Sequence, residues 1–195
     1  CDYKFSEFYT PSNKTNDVYL KEEEINLIYN EVFEDDYLDN ARDWFIIGLW
    51  TGLRVSDLLC LTKENLNGDF IKQENYKTGC QVIVPIHEQV KAILNKRNGE
   101  FPRKLSDQKF NDYIKVVSKK AGITDLVKGA KMDKLTIEKD GKQKTIYRKK
   151  IGEFPKYELV SSHICRRSFA SNLYGKLPSS VIMNLTGHKT ESQFN

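Results

Sequence analysis

Over residues 18–33 the apolar positions Leu20, Ile25, Leu27, Ile28 and Val32 recur at helical spacing, and Glu22, Glu23 and Glu24 fill the first turn, where a helix dipole favours anions. The pattern predicts a helix there. An acidic turn follows at Glu34, Asp35, Asp36 and Asp39, with Asp39 placed to cap a helix that runs to Thr51 and stops at Gly52. Trp44, Phe45, Ile46, Ile47, Leu49 and Trp50 make that helix apolar nearly all round, so it must be buried. A short helix containing Arg54, Asp57, Leu58 and Leu59 comes next, and Thr62 can cap a further turn through Asn65.

Residues 69–73 and 81–86 are rich in β-branched and aromatic side chains and read as two strands of a hairpin turning at Tyr76-Lys77-Thr78-Gly79. Helical spacing resumes over 87–97 and over 106–121, the second capped by Ser106 and stopped by Gly122. Leu135 and Ile137 alternate with polar residues, Asp140-Gly141 is a strong turn pair, and Ile146 resumes the pattern, which predicts a second, very basic hairpin over 135–150. Two more helices are expected, over 162–175 and over 178–186, with Pro178 at the first helical position. The fold class is therefore α+β and mainly α-helical, with small antiparallel β-hairpins. Without alternating βαβ units, a doubly wound sheet is disfavoured.

At 195 residues the chain suits one domain with a core of its own. Residues 1–17 lack periodicity and carry Pro11, Ser12 and Asn13, so they read as a linker, and residues 18–195 as the domain. With a start at Cys1 and an end shortly after a Gly-His pair, the sequence reads as an excised piece. The apolar run 44–50 is too short to cross a bilayer, so no membrane association is expected. Cysteines at 1, 60, 80 and 165 match no zinc or redox spacing and suit reduced thiols in a cytoplasmic protein. Net charge is only +4, but it runs from −9 over residues 1–69 to +10 over 70–160 and +3 over 161–195. That asymmetry suits either a polyanion-binding face or a solvated lysine-rich surface. No glycine-rich phosphate loop occurs, so no nucleotide cofactor is expected.

Arg54 begins a helix between apolar neighbours, in Thr51-Gly52-Leu53-Arg54-Val55-Ser56-Asp57, and needs an acceptor for its planar fork. Asp57 three residues on, or an external phosphate, would serve. Lys77 occupies the hairpin turn. In His163-Ile164-Cys165-Arg166-Arg167-Ser168-Phe169 the His and Arg three apart share one helix face, while Ile164, Phe169 and Leu173 can anchor another. His188 follows Gly187 at a helix end. Each feature alone is also explained by surface charge or capping. Together they form a cationic set without a carboxylate cluster for a metal, which suits a phosphodiester.

The order T-G-L-R-V-S-D-L-L, a hairpin lysine, H-I-C-R-R-S-F-A-S-N-L and L-T-G-H resembles the catalytic domain of the tyrosine recombinases, the phage-type integrase family, from about residue 18 to the end. The resemblance implies Arg54, Lys77, His163, Arg166 and His188 as catalytic residues and Asp57 as a supporting one. Thr186 before Gly187 and the basic hairpin depart from the family's minimal pattern. The nucleophilic tyrosine is expected a few residues beyond Asn195, since none follows His188. Tyr174 is read as a packing residue of the His163 helix.

The implied activity is site-specific cutting and rejoining of DNA through a covalent 3′-phosphotyrosyl intermediate, without metal or ATP. The implied setting is the prokaryotic cytosol, with double-stranded DNA as partner and a homotetramer on DNA. Residues 1–17 would join this domain to an N-terminal DNA-binding domain outside the sequence. The piece itself is expected to be monomeric and unable to cleave. The alternatives are a non-catalytic DNA-binding regulator on the same scaffold and a type IB topoisomerase-like relaxing enzyme, which would share the chemistry. A metal-dependent nuclease built on Glu34, Asp35, Asp36 and Asp39 is the weakest rival, because those side chains read as a solvated turn.

Overall fold

The computed structural model describes residues 18–74, 76, 79–139 and 142–186, leaving out the side chains of 134, 135, 137–139 and 142–144. The expected linker over 1–17 lies outside the described residues. Helices α1 (Glu22–Asn30), α2 (Asp36–Thr51) and α3 (Val55–Leu58) lead into an antiparallel sheet of β1 (Leu66–Asn67), β2 (Phe70–Glu74) and β3 (Gln81–Pro85). Helices α4 (Glu88–Lys96) and α5 (Asp107–Lys120) precede a two-stranded ribbon of β4 (Leu126–Lys139) and β5 (Lys142–Pro155), and α6 (Ser162–Leu173) and α7 (Ser179–Thr186) follow it. The α+β, mainly helical class expected from the pattern is the one observed.

Helix α2 is the axis of the core. Trp44, Phe45, Ile46, Ile47 and Leu49 are buried, and α1, α4, α5 and α6 pack around them. The helix interior is tightest at Gly48, where an added Cβ would sit 2.8 Å from Leu58 Cδ2 and 2.9 Å from Cys165 Sγ. A helix-interior glycine costs roughly 0.5–1 kcal/mol relative to alanine, and here it lets α2 lie directly against α3 and α6. In the three-stranded sheet Ile71 pairs with Val84, both buried, and Ile83 on the other face is exposed. The period-2 pattern thus seats one face on the core.

Several boundaries differ from the sequence expectation. The first helix covers only Glu22–Asn30, because the Leu20 amide donates to Ser168 Oγ at 2.9 Å and its carbonyl accepts from Asn172 Nδ2 at 3.0 Å. Those bonds hold the entering chain against α6. Helix α2 begins a turn earlier than expected, with Asp35 at the cap position, and Asp36 and Asp39 lie inside the helix. Asp39 is no turn residue in solvent: it pairs with Arg42 at 2.6 Å, Lys96 at 2.6 Å and Arg97 at 3.4 Å. Beside it the buried Asp43 pairs with Arg42 at 2.8 Å and Arg97 at 2.7 Å, so two carboxylates clamp α2 to the end of α4.

Strand β1 went unread because two residues carry no pattern. The second hairpin runs from Leu126 to Pro155 rather than over 135–150, with its register closing at Lys139↔Lys142. Its lysines sit among the strand positions and mask the alternation. Pro178 precedes the last helix, its carbonyl accepting from the amides of Val181 and Ile182. Tyr174 is exposed at the C-cap of α6 and does not pack.

Candidate active site

The site begins where α2 stops. Gly52 takes the left-handed conformation (φ 62°, ψ 14°), its amide still bonded to the Gly48 carbonyl at 2.9 Å, and the chain reverses through buried Leu53. An L-residue is strained there, and a Cβ would also lie 2.6 Å from Phe169 Cδ1. Phe169 belongs to α6. Gly52 therefore permits two things at once, the turn that presents Arg54 and the seating of α6 beneath it.

Arg54 is the N-cap residue of α3, half-buried, and Asp57 is a buried residue of the same short helix. Helix α6 supplies the second arginine. Ile164, Cys165, Ser168 and Phe169 are buried on one side, which leaves His163 exposed in the first turn and Arg166 one turn further along the adjoining face. Arg166 Nη1 donates to the Gly52 carbonyl at 3.1 Å. Burial, then the neighbouring charge of Arg54, pull the Arg166 guanidinium down to about 10, and the Asp57 carboxylate opposes that shift. Arg54, Asp57 and Arg166 thus share one electrostatic environment.

Three buried polar atoms in this cluster have no hydrogen-bond partner: Arg54 Nη1, Arg166 Nη2 and Asp57 Oδ2. The Arg54–Asp57 pair, one of the two partnerships open to Arg54, is not among the described hydrogen bonds or ion pairs. Instead Asp57 Oδ1 accepts the Tyr76 backbone amide at 3.1 Å, which ties the end of the β2–β3 hairpin to the arginine cluster. Two like-charged guanidinium groups, each with a buried N–H lacking an acceptor, have the chemistry to receive a tetrahedral oxyanion.

Lys77 and His188 lie outside the described residues, so the structure describes four of the six expected site residues, and brings Arg54, Asp57 and Arg166 together with His163 a helical turn away. Helix α7 packs against α6 and β3 and ends at buried Thr186, two residues before His188. The Gly52 carbonyl and the Tyr76 amide are site atoms that the sequence reading missed. Main-chain groups leave no residue-type signal, although the glycine directly before Leu53-Arg54 was visible.

Among the described residues no three His, Cys, Asp or Glu side chains converge as a metal-binding group, and Asp39 and Asp43 face arginines and a lysine. No described helix is long and apolar enough to cross a membrane.

Comparison with known proteins adds an independent line. The profile of the phage integrase family matches residues 18–195. Among solved structures, a XerA recombinase superposes with TM-score 0.61 at 17% identity, over 91% of this chain and 58% of that one. A lambda integrase dimer bound to a COC′ core site gives TM-score 0.59 at 18% identity, over 96% and 63%. A XerH recombinase bound to its difH substrate in a pre-cleavage complex gives 0.61 at 15% identity, over 95% and 51%. This chain therefore spans between half and two thirds of the length of each, and at these identities the likeness is one of fold. No curated protein sequence matches.

Proposed function

This chain belongs to the phage integrase family, and we propose that its arginine cradle holds the scissile phosphate of a DNA strand during site-specific cutting and rejoining. The observation that carries the proposal is the pair of buried, unpartnered N–H groups of Arg54 and Arg166 beside Asp57. A phosphodiester brings two non-bridging oxygens that satisfy both donors. As an attacking group adds to phosphorus, negative charge grows on those oxygens, and each preorganised cation is then worth about 2.7–4 kcal/mol.

The remaining roles follow the chemistry of the side chains. Lys77, cationic near neutral pH, would donate a proton to the departing 5′-oxygen; His163, exposed at the start of α6, would handle the proton of the attacking phenol; and His188 would hydrogen-bond the phosphate. The attacking group would be a tyrosine phenol, and no tyrosine among residues 1–195 is assigned that role. It would leave a 3′-phosphotyrosyl linkage and a free 5′-hydroxyl. The linkage retains the bond energy, so rejoining needs no ATP. The complete protein would act as a tetramer on two duplexes; a lambda integrase tetramer bound to a Holliday junction shares the fold.

The test is covalent trapping on a nicked suicide substrate with the full-length protein. Arg54→Ala and Arg166→Ala should each bind the site and lose cleavage by about 10²–10³-fold. Cleavage at the wild-type rate by either variant would overturn the proposal. Binding without any covalent complex in the unmutated protein would favour the non-catalytic regulator.

A further inference from the structure

Ribbon β4–β5 takes no part in the arginine cradle, yet residues 126–155 hold nine Lys or Arg against four Asp or Glu. At about 3.4 Å per residue its 14 paired positions reach roughly 45 Å. The ribbon meets the body at the turn Lys156–Leu159, and its inner face is seated there. Phe154 is buried, Lys131 pairs with Glu158 at 2.8 Å and lies 4.7 Å from the Phe154 ring, and a Cβ on Gly129 would meet Leu159 Cδ1 at 2.4 Å. That fit fixes which face looks outward.

The outward face carries Leu126, Met132, Tyr147 and Ile151, which are 68, 61, 63 and 78% exposed. In the register Ile151 sits opposite Ala130, and Met132 opposite Lys149, which places Met132 diagonally beside both Ile151 and Tyr147. Met132, Tyr147 and Ile151 are therefore contiguous, and Leu126 lies apart near the base of the ribbon. Exposed Lys128 and Lys149 interrupt them on the same face, and exposed Arg148 and Lys150 project from the other.

An exposed apolar stripe with cations on its own face and on the reverse face is complementary to duplex DNA, which offers phosphates beside sugar and base edges. A two-stranded ribbon has the width to enter a major groove, and apolar side chains can wedge between base steps in a minor groove. The same turn that seats the ribbon continues within a few residues into α6, which carries His163 and Arg166. Lys156, in that turn, is locked to Glu24 at 2.6 Å. Ribbon and cradle thus share one anchor.

We propose that β4–β5 is a second DNA-binding element, which lays Lys128, Arg148, Lys149 and Lys150 on phosphates flanking the cradle and Met132, Tyr147 and Ile151 against the groove. This rests on the reading that the chain acts on DNA. Counter-ion release then makes the ribbon a separable contributor to affinity.

The experiment uses full-length protein on a duplex that extends past the cleavage site and on a short duplex confined to it, with affinity measured as a function of salt. The quadruple variant Lys128→Gln, Arg148→Gln, Lys149→Gln, Lys150→Gln should bind the long duplex at least about tenfold more weakly near 0.15 M salt. Its salt slope should fall by roughly 2–4. Affinity for the short duplex and cleavage at saturating DNA should be unchanged. Ile151→Ser should weaken long-duplex binding about three- to tenfold with the slope unchanged. All five side chains are exposed, and an unaltered melting temperature confirms folding. Equal affinity and slope for variant and unmutated protein on both duplexes overturn the ribbon assignment while leaving the cradle reading intact. Failure of the unmutated protein to bind either duplex overturns both. A variant that loses self-association but keeps its DNA affinity overturns DNA as the occupant in favour of a second copy of the chain.

Discussion

The backbone amide of Tyr76 donates to Asp57 Oδ1 at 3.1 Å, joining the hairpin to the helix that Arg54 caps. The same carboxylate opposes the fall in the Arg166 pKa, and its second oxygen has no partner. Asp57 therefore does a mechanical and an electrostatic job, which two substitutions separate. Asp57→Asn keeps an acceptor for the Tyr76 amide but removes the charge, so Arg166 should lose its proton below the present value of about 10. The alkaline limb of a pH–cleavage profile should move down. Asp57→Ala also strands a buried amide, at a cost of about 1–3 kcal/mol of stability. Denaturant titration alongside the pH profile checks both, and identical profiles for Asn and the unmutated protein would remove the electrostatic role.

A cradle with two unpartnered guanidinium N–H groups should be stabilised by simple anions. Sulfate or inorganic phosphate at ten times its dissociation constant contributes about 1.4 kcal/mol. For a domain of this size that raises the melting temperature by roughly 3–5 °C. General salting-out acts equally on all variants. The increment that disappears in Arg54→Ala and in Arg166→Ala is the specific part. An increment surviving in both would place the anion elsewhere.

What was legible in the sequence follows from where the physics is local. Trp44 to Trp50 could be assigned to a buried helix because burial on every side leaves its mark on residue type. Arg54 was visible because a cation beside apolar neighbours is costly without a partner, and His163 and Arg166 because residues three apart share one helix face. The partners were not. Asp57 was one of two acceptors open to Arg54, the other being an external phosphate, and it accepts a main-chain amide 19 residues away. Asp39 looked like part of a hydrated acidic turn because, besides Arg42, its cations Lys96 and Arg97 lie more than fifty residues on. Ribbon β4–β5 exceeded its expected length because solvated lysines satisfy strand geometry without declaring it.

Gly52 and Gly122 both have positive φ, at 62° and 81°, but only the first has a neighbour within 4 Å of an added Cβ. Alanine at Gly122 should cost only the left-handed penalty, about 1–2 kcal/mol. Gly52→Ala adds overpacking against Phe169, typically about 1–3 kcal/mol more. It also shifts the carbonyl that receives Arg166, so it should reduce anion stabilisation, which Gly122→Ala should leave alone. Equal losses of stability would show that α6 relaxes away from the new methyl group.

His87 gives the fold a pH dependence distinct from that of its carboxylates. Its ring stacks on Trp50 with centroids 3.6 Å apart, and its Nδ1 accepts the Gln89 amide at 3.3 Å at the start of α4. Burial holds its pKa below the ordinary 6.5, against the opposing charges of Glu88 and Glu22. The folded protein therefore resists a proton that the unfolded chain accepts, so stability is full above about pH 6.5 and declines as pH falls below it. The decline ends once the folded-state histidine is itself protonated. Asp39 contributes a separate window. Burial would raise its pKa, but hydrogen bonds and charges from Lys96 and Arg42 outweigh it and hold the carboxyl below 3.8, so its contribution fades only in stronger acid. His87→Asn retains a capping acceptor without the titration. Denaturant midpoints measured across pH 7 to 5 should fall for the unmutated protein and stay level for His87→Asn; parallel falls would assign the acid sensitivity to another group.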